Sequence, residues 1–325
     1  ADKETTFPPY IRIVKMWSLR YYYELATAGA IVSNVRIDLG VEKRKKQTYL
    51  QTWHGPFGSK RIEGEALDIL KKEYIISAIH DGSITDGIIS NSQLLDELYK
   101  RAFWLNSHSE ILRIGLPRND FLVNNANNIE LITTIRAKFN IPANAYMVLY
   151  APTFRDDYTT DGYKLNFEEI REAFQNRFCR PCWMLIRLHP NARKQVEKMK
   201  FTSKIINVTS YPDIQELSIA SDAVISDYSS TVFDFSIIKK PAFICALDLQ
   251  HYVETRGLVD EFYHYPFPFS ESSEELIKQI YDFDEIEYQK KIEAYFGKKP
   301  MYDMGNASQK AVDWLVNKMK EKLLK

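Results

Sequence analysis

Short apolar runs alternate with amphipathic stretches along the chain, which predicts strands separated by helices. In the first part, strands are predicted at 30–35, 47–53 and 111–115 with a strand end at 77–82, and helices at 18–27, 64–76, 92–103 and 128–139. After Pro142 the pattern restarts, with strands at 146–152, 182–189, 204–208, 223–227 and 242–247 and helices near 167–178, 192–200, 213–220 and 231–238. Three further helices are predicted near 272–282, 285–296 and 306–324, and Asn306 or Ser308 is the expected cap of the last one.

This alternation predicts an α/β protein in which parallel sheets are covered by helices on both faces. The restart near residue 142 predicts two Rossmann-like, doubly wound domains, at 1–142 and 143–325. The first domain opens on two prolines and a helix, with few strands before residue 54. We therefore expect it to be either small or lacking an N-terminal portion.

Composition narrows the class of protein. The chain has 325 residues and equal numbers of basic and acidic side chains, so no overall positive field attracts nucleic acid. No apolar run approaches the ~20 residues that span a bilayer, and the N-terminus does not resemble a signal peptide. A CxxC pair, Cys179 and Cys182, lacks further zinc ligands nearby. We expect a cytoplasmic protein that contacts no nucleic acid.

Two histidines follow predicted strands, where open α/β sheets bind their ligands. His54 stands in QTWHG and His189 in RLHPN, two residues after Arg187. An imidazole titrates near neutral pH and suits proton transfer, and a histidine beside an arginine suits a phosphoryl oxygen. Taken singly, each is more often a structural histidine bonded to the backbone.

The segment SDYSSTVFDF carries the most specific local signal. Ser229 and Ser230 come after a strand and before an amphipathic helix, where unpaired amides and hydroxyls favour a phosphate. The alternative is that Ser229 only caps the helix. The chain has no Walker A, GxGxxG or GxSxG sequence, which disfavours ATPases, dinucleotide enzymes and α/β-hydrolases.

Charged residues follow two other predicted elements. Arg155, Asp156 and Asp157 follow a strand end, where they either bind substrate or form a surface ion-pair turn. Arg256 precedes Gly257 in a predicted loop and is a candidate bidentate phosphate ligand. No cofactor is required by these residues. Mg²⁺ remains open, with the candidate ligands Asp156, Asp157, Asp227 and Asp260.

The motifs together resemble those of the CDP-glycerol glycerophosphotransferase family, which includes teichoic acid polymerases and primases. The resemblance rests on QTWHGPFGSK, GLPRND, LYAPTFRDD, RLHP, SDYSSTVFDF, TRGLVDE and DMGNAS, which occur in the family's order from Gln51 to about Ser308. The segment after WHG departs from the family's TPLK, which leaves the acceptor open.

The resemblance implies a GT-B-like architecture. It also implies that a polyol phosphate, with glycerol phosphate as the leading candidate, is transferred from a CDP-polyol to a hydroxyl of a lipid-linked or growing surface polymer, and that CMP is released. It implies His54 as the base for the acceptor and His189 as the group that stabilises the transferred phosphate. By the same matching, Ser229, Ser230 and Arg256 contact phosphates, while Asp156 and Asp260 hold the polyol or orient the histidines.

The resemblance also implies an acceptor-side first domain, a CDP-polyol-binding second domain, and peripheral contact with the inner face of the cell membrane. Two other functions stay open. One is a GT-B glycosyltransferase that uses a sugar nucleotide, because fold does not fix function. The other is a domain that binds a surface polymer, such as teichoic acid or capsule polysaccharide, without catalysis.

Overall fold

The computed structural model describes residues 7–155, 161–189 and 201–324, and it contains two parallel β-sheets. The first sheet has the order β1-β2-β3-β4, and its strands are Ala30–Ser33, Thr48–Gln51, Gly87–Ser90 and Glu110–Arg113. The second has the order β10-β9-β8-β5-β6-β7. Its strands β5 to β10 are Tyr146–Tyr150, Cys182–Ile186, Ile205–Asn207, Ala223–Ser226, Ala242–Cys245 and Phe269–Ser270.

Helices connect and cover these strands. In chain order, α1 to α6 are Leu19–Thr27, Lys72–Ile84, Gln93–Ala102, Asp120–Asn125, Ile129–Lys138 and Phe167–Phe178. Helices α7 to α12 are Ile214–Ala220, Thr231–Ile237, Leu249–Arg256, Ser273–Tyr281, Glu285–Lys298 and Ala307–Leu324. Ser92 caps α3 as predicted, since its hydroxyl accepts the Leu95 N–H.

The predicted fold class is confirmed: two doubly wound α/β units carry helices on both faces of parallel sheets. All four or five residues of β5, β8 and β9 are buried, as central strands of such a sheet require. The division at residue 142 stays a prediction. The last helix, α12, lies on the first sheet, where Ala311 packs with Leu50 and Ile89.

Some predicted elements are wrong. Residues 77–82 belong to α2, and the strand is Gly87–Ser90, a buried run of only four residues. The helix predicted at 64–76 is a 3₁₀ turn at Glu63–Ala66 followed by α2. Elements α4, α9 and β10 were not predicted. The helix predicted at 192–200 falls outside the described residues.

The GLPRND segment joins the two units. Arg118 binds the Asp234 carboxylate of α8, with an Nη1–Oδ1 distance of 3.0 Å. Asp120 accepts the N–H groups of Ala307 and Ser308 at 2.8 and 2.7 Å. The predicted local cap of α12 is therefore corrected, because Asp120 reaches the start of this helix from a distant segment.

Asp303 fixes the segment before α12. Its carboxylate accepts hydrogen bonds from the Leu116 N–H at 2.9 Å and from the side-chain amides of Asn91 and Asn119 at 2.8 and 3.1 Å. Burial raises the pKa of Asp303 to about 6, in spite of these three donors. The Asn91 Oδ1 atom is buried and has no partner among the described residues. After a flip of the Asn91 amide, its Oδ1 would accept a hydrogen bond from the O–H of neutral Asp303.

We predict that Asp303 makes stability depend on pH. Its pKa is raised in the folded state, so its contribution is full below its unfolded value of 3.8 and is lost as pH rises through about 6. The unfolding free energy of the wild type, relative to Asp303→Asn, should fall by about 1 kcal/mol between pH 5 and pH 7. Urea denaturation at both pH values measures this difference, and a pH-independent difference contradicts it.

Candidate active site

A cleft of about 460 Å³ lies between the two sheets, at the carboxyl ends of β2, β5, β6 and β8. Parallel sheets bind ligands at this edge because the loops after their strands converge there. Six of the predicted site residues line the cleft: His54, Arg187, His189, Ser229, Ser230 and Arg256. Residues that follow strands of both sheets thus line the same cleft.

His54 follows β2 and is exposed to the cleft. Its Nδ1 lies 3.0 Å from the carbonyl oxygen of Asn34. A carbonyl can only accept, so Nδ1 carries the hydrogen and donates it. The lone pair is then on Nε2. This tautomer equips His54 to accept a proton from a bound hydroxyl group.

His189 comes three residues after the end of β6 and is also exposed. Its ring packs against Phe154, with 5.1 Å between centroids. The preceding Leu188 is fixed by its N–H, which donates to the Thr209 hydroxyl at 3.1 Å. The imidazole therefore projects from an anchored backbone on the opposite side of the cleft from the loop of the first sheet.

The two serines form part of the cleft next to the His54 loop. The Ser229 Oγ atom lies 2.9 Å from Thr231 Oγ1 and accepts the Thr231 N–H, while Ser230 occupies the N-cap position of α8 without a side-chain capping bond. A Cβ added to Gly55 would lie 3.5 Å from Ser230 Oγ. The loops from the two sheets are therefore in contact beside the hydroxyls.

Arg187 supplies a partly buried positive charge to the same wall. Its Nε is buried and has no hydrogen-bond partner within the described part of the chain, while Nη2 donates to the Tyr211 carbonyl at 3.3 Å. Burial lowers the pKa of Arg187, and Asp213 opposes that shift. An anion bound in the cleft would give the guanidinium its missing acceptor.

Arg256 enters the cleft at the end of a helix. The prediction that it lies in a loop is wrong, since α9 ends at Arg256 and Gly257 follows with a φ of 68°. Two backbone hydrogen bonds join this turn to the His54 loop, Arg61 N–H to Gly257 O at 3.3 Å and Val259 N–H to Ser59 O at 2.9 Å. We refer to these paired segments, 59–61 and 257–259, as the cross-bridge.

Two predicted site residues, Asp260 and Arg155, lie elsewhere. Asp260 is exposed in a neighbouring cavity of about 550 Å³ beyond the cross-bridge, which shares Phe57 with the cleft. Asp156 falls outside the described residues. Arg155 lies beneath the cleft, and its side chain is 4% exposed.

Arg155 is held by two buried carboxylates. Its Nε and Nη2 donate to Asp248 at 2.7 and 2.8 Å, and Nη2 also donates to Asp227 at 2.8 Å. Burial lowers the pKa of Arg155, but the two carboxylates outweigh burial and the pKa is raised. Asp227 in turn accepts the N–H groups of Thr153 and Tyr228 at 2.7 and 2.6 Å. Arg155 thus contacts Asp227 and Asp248 beneath the cleft. These contacts differ from the two that the sequence suggested, a bond to substrate and a surface ion-pair turn.

Within 7–155, 161–189 and 201–324, no group of three or more His, Cys, Asp or Glu side chains could hold a metal ion. Asp227, one of the four candidate Mg²⁺ ligands, pairs with Arg155.

Two cleft residues were missed in the sequence. Thr153 lines the cleft, and its Oγ1 is buried without a partner among the described residues. Lys60 also lines it, from the cross-bridge. The sequence signal that could have identified Lys60 as a cleft residue was its position at the end of the QTWHGPFGSK motif. Thr153 gave no signal beyond its position after β5.

Comparison with known proteins gives consistent results. The sequence matches the family described as CDP-glycerol:poly(glycerophosphate) glycerophosphotransferase over residues 1–317. It is 32% identical to a teichoic acid poly(glycerol phosphate) polymerase of Staphylococcus epidermidis over 95% of this chain and 44% of that protein. The polymerase of the same name from Bacillus subtilis is 33% identical over 94% of this chain and 41% of the Bacillus protein. The chain thus spans less than half the length of these relatives.

Solved structures give the same result. The wall teichoic acid polymerase TagF has a TM-score of 0.82 and 32% identity, covering 98% of this chain and 80% of that one. A UDP-GlcNAc 2-epimerase of Methanocaldococcus jannaschii has a TM-score of 0.55 and 13% identity, covering 91% of this chain and 78% of that one. The second likeness extends to the fold alone.

We predict that Arg155→Met destabilises the protein by about 3–5 kcal/mol, because Asp227 and Asp248 would remain buried without their cation. Urea denaturation measures the change. The matched control is Arg12→Met, which removes an exposed ion pair with Glu24 and should cost much less, because water screens an exposed pair. Equal losses in the two variants would show that the buried ion pairs contribute no more than the exposed one.

Proposed function

This chain belongs to the CDP-glycerol:poly(glycerophosphate) glycerophosphotransferase family, and we propose that it is a phosphotransferase. It transfers a polyol phosphate, with glycerol phosphate as the leading candidate, from a CDP-polyol to a hydroxyl of a lipid-linked or growing surface polymer. The observation that carries the proposal is the tautomer of His54, which leaves Nε2 as a proton acceptor in a cleft that also holds two arginines and two serine hydroxyls.

The proposed reaction is a single displacement. The acceptor hydroxyl gives its proton to His54 Nε2, and its oxygen attacks the β-phosphorus of the CDP-polyol. The bond from that phosphorus to the α–β bridging oxygen breaks, and its electron pair leaves with CMP. A new phosphodiester remains on the acceptor. The proton taken by His54 is balanced by the additional negative charge on CMP.

The remaining residues would stabilise the phosphates. Arg187 has an unused Nε and Arg256 ends α9 at the cleft, so the two can offset the negative charge that spreads over the phosphoryl oxygens. His189 would donate to the transferred phosphate or to the departing CMP. Ser229 and Ser230 would add neutral donors on the same side. These roles extend the family assignment to individual residues of this chain.

The substrates suggested by the relatives enter here as part of the proposal. The similar proteins are named as poly(glycerol phosphate) polymerases, and TagF has also been solved after soaking with CDPG. We propose CDP-glycerol as the first donor to test and a teichoic acid-type polymer as the acceptor. The altered residues after WHG lie beside the cross-bridge, which is where an acceptor would approach His54.

We predict that the protein releases CMP from CDP-glycerol or CDP-ribitol in the presence of a polyol phosphate acceptor. His54→Ala and His189→Ala should each lower the rate by about 10²–10⁴-fold, because each removes an acid–base or charge-stabilising group. His108→Ala, at an exposed site away from the cleft, is the control. Nucleotide release is measured by chromatography.

Other outcomes would select the other functions. Release of UDP from a UDP-sugar, with no CMP from either CDP-polyol, would indicate a glycosyltransferase. Calorimetry that detects no CDP-polyol binding would favour a polymer-binding domain without catalysis. Wild-type turnover in either cleft histidine variant would refute the assigned roles.

We also propose that the protein contacts a membrane surface through α1 and the segment just before it, which contains Tyr10 and Trp17. No helix of residues 7–155, 161–189 and 201–324 is long and apolar enough to cross a bilayer. Helix α1 has no buried residue, and Tyr10, Trp17 and Leu19 are 86%, 66% and 92% exposed. The basic turn 43–46 packs on the end of α1, since Arg44 donates to the Ala28 carbonyl. Exposed aromatic side chains beside a basic turn suit an anionic lipid surface.

We predict that the protein co-sediments with vesicles containing phosphatidylglycerol more than with vesicles of phosphatidylcholine alone. The double variant Tyr10→Ser, Leu19→Ser should weaken binding at least threefold, because it removes apolar area that would enter the interface. The matched control is Ile129→Ser, Ile286→Ser, at positions 72% and 69% exposed on other helices. An equal effect of the two double variants would argue against α1 as the contact.

A further inference from the structure

The proposed base, His54, owes its orientation to two separate backbone segments. One is the segment directly after β2, which contains His54 itself. The other is the segment after β1, in which the Asn34 carbonyl accepts the proton of Nδ1. If either segment moved, the imidazole would lose the hydrogen bond that selects its tautomer.

One buried side chain joins these segments. The Gln51 Nε2 donates to the Val35 carbonyl at 3.0 Å, and Gln51 Oε1 accepts the Trp53 N–H at 2.9 Å. Val35 directly follows Asn34, and Trp53 directly precedes His54. Gln51 is 0% exposed, so water cannot replace these bonds.

The backbone at Trp53 needs such a restraint. Its φ is 55°, in the left-handed region that a bulky residue rarely adopts. The indole ring is packed edge-on against Phe103, with 4.9 Å between centroids, and lies 5.4 Å from the guanidinium of Arg36. Strain of this kind persists where the surroundings fix the residue, and it directs the next side chain, His54, into the cleft.

A charged network holds Gln51 in turn. Its second amide hydrogen goes to the Tyr49 hydroxyl at 2.9 Å, and that hydroxyl donates to Asp81 at 2.7 Å. Asp81 also accepts the Ile37 N–H at 2.8 Å and pairs with the buried Arg36 at 2.6 Å. Both amide hydrogens and the amide oxygen of Gln51 are therefore used, which leaves one orientation for the side chain.

We infer that Gln51 is a positioning residue that fixes the Nδ1–H tautomer of His54 and points its Nε2 at the acceptor hydroxyl. This inference rests on the proposed function for the role of His54, and it adds a residue that does not touch substrate. Replacement of Gln51 should lower turnover without weakening donor binding, because the cleft arginines and serines lie on the other sheet.

The chain supplies a matched control in Gln47. It is 1% exposed and joins two segments in the same manner, with Nε2 donating to the carbonyls of Leu25 and Ala28 and Oε1 accepting the Arg44 N–H. In the described part of the chain, the side-chain hydrogen bonds of Gln47 do not reach the Asn34 or Trp53 segments. Gln47→Met and Gln51→Met therefore delete equivalent hydrogen bonds from equally buried sites.

The test compares the two variants at equal folded concentration. Gln51→Met should lower kcat for CMP release about 10–100-fold and change KM for the CDP-polyol by less than about twofold, a loss within the range of acid–base catalysis. Gln47→Met should leave both parameters within about twofold of wild type. Equal kcat values for the two variants would overturn the inference.

A second readout does not depend on activity. In protein labelled with ¹⁵N-histidine, the nitrogen shifts of His54, identified by their loss in His54→Gln, should show hydrogen on Nδ1 in the wild type and in Gln47→Met. They should show a mixture of tautomers in Gln51→Met. A single Nδ1–H tautomer in Gln51→Met would refute the positioning role. Lack of nucleotide release by the wild type would refute the proposed function instead, while the tautomers would still decide the role of Gln51.

Discussion

The cleft depends on one buried positive charge, the guanidinium of Arg155. Removing a guanidinium from water is costly unless carboxylates replace its hydration, and Asp227 and Asp248 do so from the loops after two other strands. Because Asp227 also accepts two backbone N–H groups, the ion pairs fix the main chain at Thr153 and Tyr228. The loops on one side of the cleft are thus ordered before any ligand arrives, and their donors need no rearrangement.

Sequence patterns could predict the sheets and the cleft histidines because both follow from local rules. Apolar runs mark buried parallel strands, and ligand-binding residues follow their carboxyl ends. Arg155 could not be placed in this way. A polar RDD sequence after a strand is typical of solvent exposure, and the partner Asp248 is 93 positions away. Helix α9 was also missed, although Asp248 occupies its N-cap position; that carboxylate binds Arg155 and does not cap the helix.

The motifs that carried the family resemblance have different physical functions. The histidine and serine motifs lie in the cleft, whereas GLPRND is a joint between the two units. Arg118 binds α8 of the second unit, which begins beside Ser230, and Asp120 receives the start of α12. A substitution at Arg118 would act on the phosphate side of the cleft through packing, without contact with a ligand. A single sequence does not distinguish these two kinds of motif.

The position of α12 on the first sheet has a consequence for the order in which the protein is made and folded. Ala311 covers Leu50 and Ile89, and the ring of Trp314 lies against Gly87. The ribosome delivers the first sheet about 200 residues before these side chains, and contacts so distant in sequence form late. The face behind β2 therefore stays open to chaperones throughout synthesis of the second unit. The strand that precedes His54 is therefore translated long before the helix that closes its sheet.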